Sequence, residues 1–293
     1  MSEPLSSEEV RRLIAAFQRA EITEHHIYSR LARATRSPEN RAVLERIAAD
    51  ELRHYRYWQG LTGREIEPAR TKIWFYTGAG RLLGLTFAVR LMEQGEEGAQ
   101  ENYQRIGEVV PQALTIAQEE KVHEEALIGL LDEERLRYTG SVVLGLNDAL
   151  VELTGALAGL TFALQNTRLI AMTGAITGIA AALSMAASEY LSTRTEETDR
   201  DPVRAALYTG VAYLFTVLVL ILPYLVFSNY LICLAATLVG ALLIIAFFNY
   251  YISVARDVPF RRRFVEMALL SLSVAAVSFG IGVLMRVVFG VEV

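Results

Sequence analysis

Two stretches of the chain repeat one pattern, Glu51-x-x-His54 and Glu120-x-x-His123. On a helix, positions i and i+3 share a face, so each carboxylate and its imidazole can reach one metal ion. Each motif follows a segment with a glutamate and, seven residues on, a tyrosine: Glu21 with Tyr28, and Glu96 with Tyr103. Seven residues make about two turns, so those pairs also share a face. In a four-helix bundle, one Glu from each of two helices plus Glu-x-x-His from each of the other two builds a di-iron carboxylate site. Carboxylate oxygens bridge the two irons, and imidazoles complete each shell while leaving open positions. A lone Glu-x-x-His on a charged helix is ordinarily a solvated face. Two of them, each behind a matching Glu…Tyr segment, form an internal repeat, and the repeat argues for metal.

The elements that must position these residues can be read from caps and stripes. Ser6 and Glu9 have capping-box spacing and open a first helix that ends near Thr35, with Leu13, Ile14, Phe17, Ala20, Tyr28, Leu31 and Ala32 as its apolar stripe. Ser37-Pro38 reads as N-cap and first residue of a second helix running to about Gln59. Leu61 to Thr77 is expected to be a connection carrying Trp74-Phe75-Tyr76, followed by a third helix from about Gly80 to Val109 and a fourth from Pro111 to about Tyr138. Seventeen extended residues reach roughly 56–61 Å, enough for a crossover along the bundle. A helical Lys72–Tyr76 would shorten that reach, and two chains could then complete one bundle.

Composition divides the chain. Of 293 residues, 53% are hydrophobic, and all four histidines precede residue 124. The formal charge of -5 is too small and too mixed to imply a nucleic-acid partner. Cys233 is the only cysteine, which excludes an intramolecular disulfide, a four-cysteine zinc site and an iron–sulfur cluster held by this chain alone. Five apolar runs, about 141–163, 169–192, 204–227, 230–254 and 265–289, are each long enough to cross a bilayer. Arginines cluster before the first run and between runs two and three and runs four and five, whereas the opposite side has Arg168 and Arg286. The positive-inside rule then puts residues 1–138 in the cytoplasm and the C-terminus outside, and the charged first twenty residues carry no signal-peptide core. The expected fold is all-α, a helical bundle at 1–138 followed by a five-span membrane domain at 139–293.

Several residues sit oddly inside the spans: Asp148 and Glu152 in the first, Met185 and Glu189 in the second. An acid near mid-membrane costs about 2.5–3.5 kcal/mol on insertion scales, so such residues normally face an interior or a pathway. Each pair is spaced i, i+4 and lines one helix face. A thioether among carboxylates suits ferrous iron better than magnesium.

The first half resembles the rubrerythrin branch of the ferritin-like family over about residues 7–138. That resemblance implies ligand roles for Glu21, Glu51, His54, Glu96, Glu120 and His123, and for Glu93, which occupies the position of an additional glutamate one turn before Glu96. It implies a di-iron cofactor, with Mn2+ or Zn2+ able to substitute. Glu24, Glu97 and Glu119 are expected to be solvated or to lie behind the ligands, and His25 and His26 to be exposed. Rubrerythrins add a Cys-rich electron-supplying domain that this chain lacks, so sustained peroxidase turnover would need an external reductant. The second half, with Gly145-Leu146-Asn147-Asp148, Ala156-Leu157-Ala158-Gly159 and Leu183-Ser184-Met185-Ala186-Ala187-Ser188-Glu189-Tyr190, resembles the vacuolar iron transporter family. It implies a homodimer exchanging Fe2+ or Mn2+ for protons, with pathway roles for Asp148, Met185 and Glu189; Glu152 is a candidate proton carrier. The expected function is iron export across a bacterial inner membrane. A membrane-tethered ferroxidase or peroxidase is the alternative.

Overall fold

The structure is a computed structural model that describes residues 7–96, 99–129, 138–196, 200–256 and 258–289. The described residues are all-helical, without strands, and the chain divides into two compact units, Met1–Glu133 and Glu134–Val293.

In the first unit, α1 spans Ser7–Ala34 and α2 spans Pro38–Thr62. Ser37 caps α2 by accepting from the Asn40 N–H, Pro38 opens it, and Gly63 ends it in the left-handed region at φ 68°. The expected Ser6–Glu9 capping box lies outside the described residues. The expected connection over Leu61–Thr77 is corrected: after a short link the chain forms α3, Arg70–Leu83. Ile73 and Thr77, spaced i, i+4, bury one face of α3 and hold it helical. The expected long third helix is also broken. Gly84, at φ 106°, separates α3 from α4, Leu85–Glu96, and α5 follows at Ala99–Gly107. Next comes α6, Gln112–Gly129; the rest of the expected fourth helix is outside the described residues.

Two apolar clusters set the chain directions. One gathers Ile14, Phe17, Trp58, Tyr103, Ile106 and Ile116. The other gathers Ile27, Leu31, Leu44, Ile47, Ile73, Val89 and Leu127. Going from the first cluster to the second, α1 and α6 run forward while α2 and α4–α5 run backward. Because α2 and α4–α5 are parallel, the chain must return along the bundle between them: the link after α2 passes Gln18 and Thr23 of α1, and α3 continues along the second cluster through Ile73. Within the chain, α6 packs on α2.

The second unit has five helices long and apolar enough to cross a membrane: α7 (Thr139–Leu164), α8 (Thr167–Thr195), α9 (Pro202–Val226), α10 (Tyr230–Arg256) and α11 (Phe260–Phe289). Asn166 and Asp201 cap α8 and α9. Around α7, small residues let backbones touch. A Cβ on Gly145 would run into the Thr209 carbonyl, and one on Gly282 into the Gly159 carbonyl. Hydroxyls reinforce the crossings: Thr209 donates to the Ser141 carbonyl at 2.9 Å and Ser271 to the Leu150 carbonyl at 2.8 Å. Cys233 is buried, its thiol 3.3 Å from the Pro223 carbonyl.

Gly145→Leu is therefore expected to lower unfolding stability in detergent by about 1–3 kcal/mol through overpacking. Gly240, where a Cβ would meet open space, accepts Ala without loss. Thermal denaturation of both variants checks the contrast.

Candidate functional site

In the first unit, Glu21 on α1, Glu51 and His54 on α2, and Glu120 on α6 each offer a ligand atom within 4.8 Å of all the others. This polar layer lies between the two apolar clusters. Along α1 it falls between Phe17 and Ile27, along α2 between Ile47 and Trp58, and along α6 between Ile116 and Leu127. His54 Nδ1 stands 3.0 Å from Glu120, 3.4 Å from Glu21 and 3.9 Å from Glu51. His123 Nδ1 stands 3.3 Å from Glu51 and 3.5 Å from Glu120. Both Nδ1 atoms and one oxygen each of Glu21, Glu51 and Glu120 are buried without a well-aligned hydrogen bond. These converging imidazole nitrogens and carboxylate oxygens, aimed at one another without well-aligned hydrogen bonds, fit a metal centre.

The outward nitrogens of the two imidazoles are held crosswise. Glu119, just before Glu120, accepts from His54 Nε2 at 2.6 Å, and Asp50, just before Glu51, faces His123 Nε2 at 3.2 Å. Each motif thus carries, one residue ahead of its Glu, an acid that orients the histidine of the other motif. Arg53 ties the two acids together, pairing with Asp50 and with Glu119 at 2.8 Å. Such carboxylate–histidine contacts fix which ring nitrogen is free for a metal. Glu119 lies behind the ligands, as its place in the sequence suggests. Asp50 escapes the sequence reading, although extending the repeat by one position would have found it. Trp58 escapes it too; its indole N–H donates to Glu21 at 3.1 Å. Tyr103 reaches across to Glu21 at 2.9 Å and stacks on Phe17.

Other expected residues fall elsewhere. Glu93 lies 3.4 Å from Arg90 and outside the group of four. Glu96 is on α4, but its side chain is not among those described. His25 and His26 are half-buried, not exposed: His25 Nδ1 reaches the Ala48 carbonyl on α2 at 2.6 Å, because α1 and α2 pack closely there.

The electrostatics follow from the crowding. Burial opposes a charge on His54, but Glu120 and Glu21 outweigh it and raise its pKa to about 10. His123 is raised similarly, against burial, by Glu120 and Asp50. Burial, then the Glu120 charge, pushes Glu51 well up. Burial also raises Glu120, yet the two histidines more than reverse it.

In the membrane unit, Glu189 lies near the C-terminal end of α8. It is buried, accepts from Ser141 at the start of α7, and lies 3.8 Å from Arg200. The ion pair and the hydroxyl offset the cost of its burial. Met185, one turn deeper on α8, packs against the apolar core of the unit. Asp148 is half-buried seven residues beyond Ser141, about 10 Å deeper. Glu152 is exposed on the chain about 16 Å from Ser141 and accepts from Tyr213 at 2.8 Å.

The raised groups set a pH prediction for the first unit. His54, His123 and Glu51 are all shifted toward their protonated forms in the metal-free chain, and a metal must displace the protons they hold. Metal affinity is expected to rise with pH from 6 to 8, and calorimetry in buffers of different ionisation enthalpy should detect at least one proton released per ion. The stability that His54 gains from its partners is complete below about 6.5 and disappears as pH climbs through about 10, so the metal-free unit weakens on that side. Asp50→Asn with Glu119→Gln should lower affinity about 10–100-fold, measured by competition with a chelator.

Comparison with known proteins bears on the second unit. Residues 139–199, which cover α7 and α8, match the model of the VIT family. Neither the curated proteins nor the solved structures hold a significant match to the chain. The match points to membrane transport of a metal ion, and it falls on the two helices that bear Asp148, Glu152, Met185 and Glu189.

Proposed function

We propose that the chain exports Fe2+, with Mn2+ as a second cargo, across a bacterial inner membrane, and that its first unit is a cytoplasmic, rubrerythrin-like collector of the ion. The reading is carried by one observation: a buried Glu/His cluster with ligand geometry shares a chain with two spans, α7 and α8, that match the VIT family model. Arg194, Arg200 and Arg204 around the α8–α9 link, and Arg256 with Arg261–Arg263 around the α10–α11 link, support a cytoplasmic face on the side of Glu189.

Glu21, Glu51, His54, Glu120 and His123 would hold a di-iron centre, joined by Glu93 and Glu96. Ferrous iron bound there would supply one electron per ion to dioxygen or peroxide. The protein's share is to keep both Nδ1 atoms aimed inward through Asp50 and Glu119, and to hold Glu21 in place through Trp58 and Tyr103.

In the membrane unit the polar side chains fall in an order of depth. Glu189 comes first, beside Arg200; Met185 lies one turn in; Asp148 and then Glu152 lie deeper. Fe2+ would pass from the Glu189 carboxylate to the Met185 thioether and the Asp148 carboxylate. A carboxylate that releases the ion outward takes up a proton, so Asp148 and Glu152 couple the two fluxes. Glu152 is exposed on a single chain at a depth where a lipid-facing acid costs about 2.5–3.5 kcal/mol. That exposure supports a homodimer in which a second copy encloses it.

Fe2+ flux into proteoliposomes under a proton gradient tests the reading. Asp148→Asn is expected to reduce flux to the protein-free baseline while the variant still reconstitutes. Full flux in that variant would contradict the pathway. Absence of flux in the intact chain, with iron still oxidised, would favour a tethered ferroxidase or peroxidase.

A further inference from the structure

The face of α3 turned away from the first unit's core has no role in metal binding. Ile73 and Thr77 bury one side of α3, Ile73 within the apolar cluster that contains Ile27 and Leu31. On the other side Trp74 is 78% exposed, Phe75 52% and Leu82 78%. At 3.6 residues per turn, these three fall within an arc of about 100°. Arg70 and Arg81 flank that arc on one edge and Lys72 on the other, all exposed, and α3 contains no acidic residue. Arg70 also faces Glu67 at 3.2 Å, a solvent-exposed pair of the kind that contributes little.

Exposed Trp, Phe and Leu between cations is the pattern of a helix lying in the headgroup region of a bilayer. Aromatic rings favour that depth, and the cations meet anionic headgroups. We propose that α3 docks the first unit on the anionic leaflet of the membrane that the chain's own spans cross. A second copy of this chain is a poorer occupant. A two-fold contact would set α3 against α3 and bring three cations against three, whereas stable interfaces exclude charge from their core. An apolar surface left open to water is disfavoured and ordinarily marks a contact. Docking would fix the distance from the metal cluster to the bilayer, whichever ion is carried.

The chain has two tryptophans, Trp58 and Trp74, and Trp58 is fully buried. The spans carry none, so fluorescence isolates this helix. The intact chain is reconstituted in bilayers of phosphatidylethanolamine and phosphatidylglycerol containing brominated acyl chains. Trp74 emission is expected to be quenched by the brominated lipid and shielded from aqueous acrylamide. The quenched component should vanish in Trp74→Gln, and weaken both in Lys72→Glu/Arg81→Glu and when phosphatidylglycerol is omitted. The lipid-composition arm uses the unaltered chain, so it stands even if the charge variant misfolds. Quenching of Trp74 by acrylamide but not by brominated lipid would overturn the proposal. Protection from both quenchers would also overturn it, in favour of a second copy covering the face.

Discussion

The structure of the first unit depends on one costly arrangement: carboxylates and imidazoles confined to a layer between two apolar clusters. Removing an ion from water costs several kcal/mol even after relaxation, and partners must offset it. Without metal, protons are favoured in that role, since Glu120, Glu21 and Asp50 raise the pKa values of His54 and His123, and burial raises that of Glu51. A divalent ion would replace several protons with one compact positive charge that satisfies the same oxygens and nitrogens. The surrounding contacts make sense on these terms. Arg53, Asp50 and Glu119 form a more solvated rim that orients the imidazoles, while Trp58 and Tyr103 close the dry side over Glu21. The crossover through α3 is equally tied to the layer, because it allows α2 and α4–α5 to run in parallel and leaves α6 to place Glu120 and His123 beside Glu51 and His54.

The membrane unit meets a related constraint with different means. Acids in spans need protein or water around them, and the helix carrying Asp148 and Glu152 is packed against its neighbours through Gly145, Gly155, Gly159, Thr209 and Ser271. Close backbone approach fixes α7, and a fixed α7 fixes the depth of its acids. Each acid then receives its own treatment. Glu189 has an ion pair and a hydroxyl, Glu152 has the Tyr213 phenol, and Asp148 is half-buried one turn from Glu152.

Much of this is legible in the chain itself where local chemistry decides. Ser37-Pro38 sets the start of α2, long apolar runs set the spans, and the repeated Glu-x-x-His brings Glu51, His54, Glu120 and His123 to one place. What escapes depends on tertiary context. The Trp74–Tyr76 segment reads as a connection because Gly63 and Pro68 precede it, yet packing of Ile73 and Thr77 makes it a helix. Gly84 splits the next helix by taking φ 106°, a break that one glycine among several does not announce. Trp58 and Tyr103 reach Glu21 from 37 and 82 residues away, a pairing that spacing within a helix cannot show. His25 reads as solvent-exposed, and the closeness of α1 to α2 puts it against Ala48 instead.

The central claim is that the buried cluster supplies the ion that the spans carry. Its most direct test is Fe2+ flux through the full-length chain with Glu51→Gln and Glu120→Gln combined, measured across a range of iron concentrations. The account predicts that flux falls at low iron and recovers at saturation, because the pathway through Asp148 is intact and only its supply is weakened. Flux equal to that of the unaltered chain at every concentration would contradict it, and would separate the metal cluster from transport.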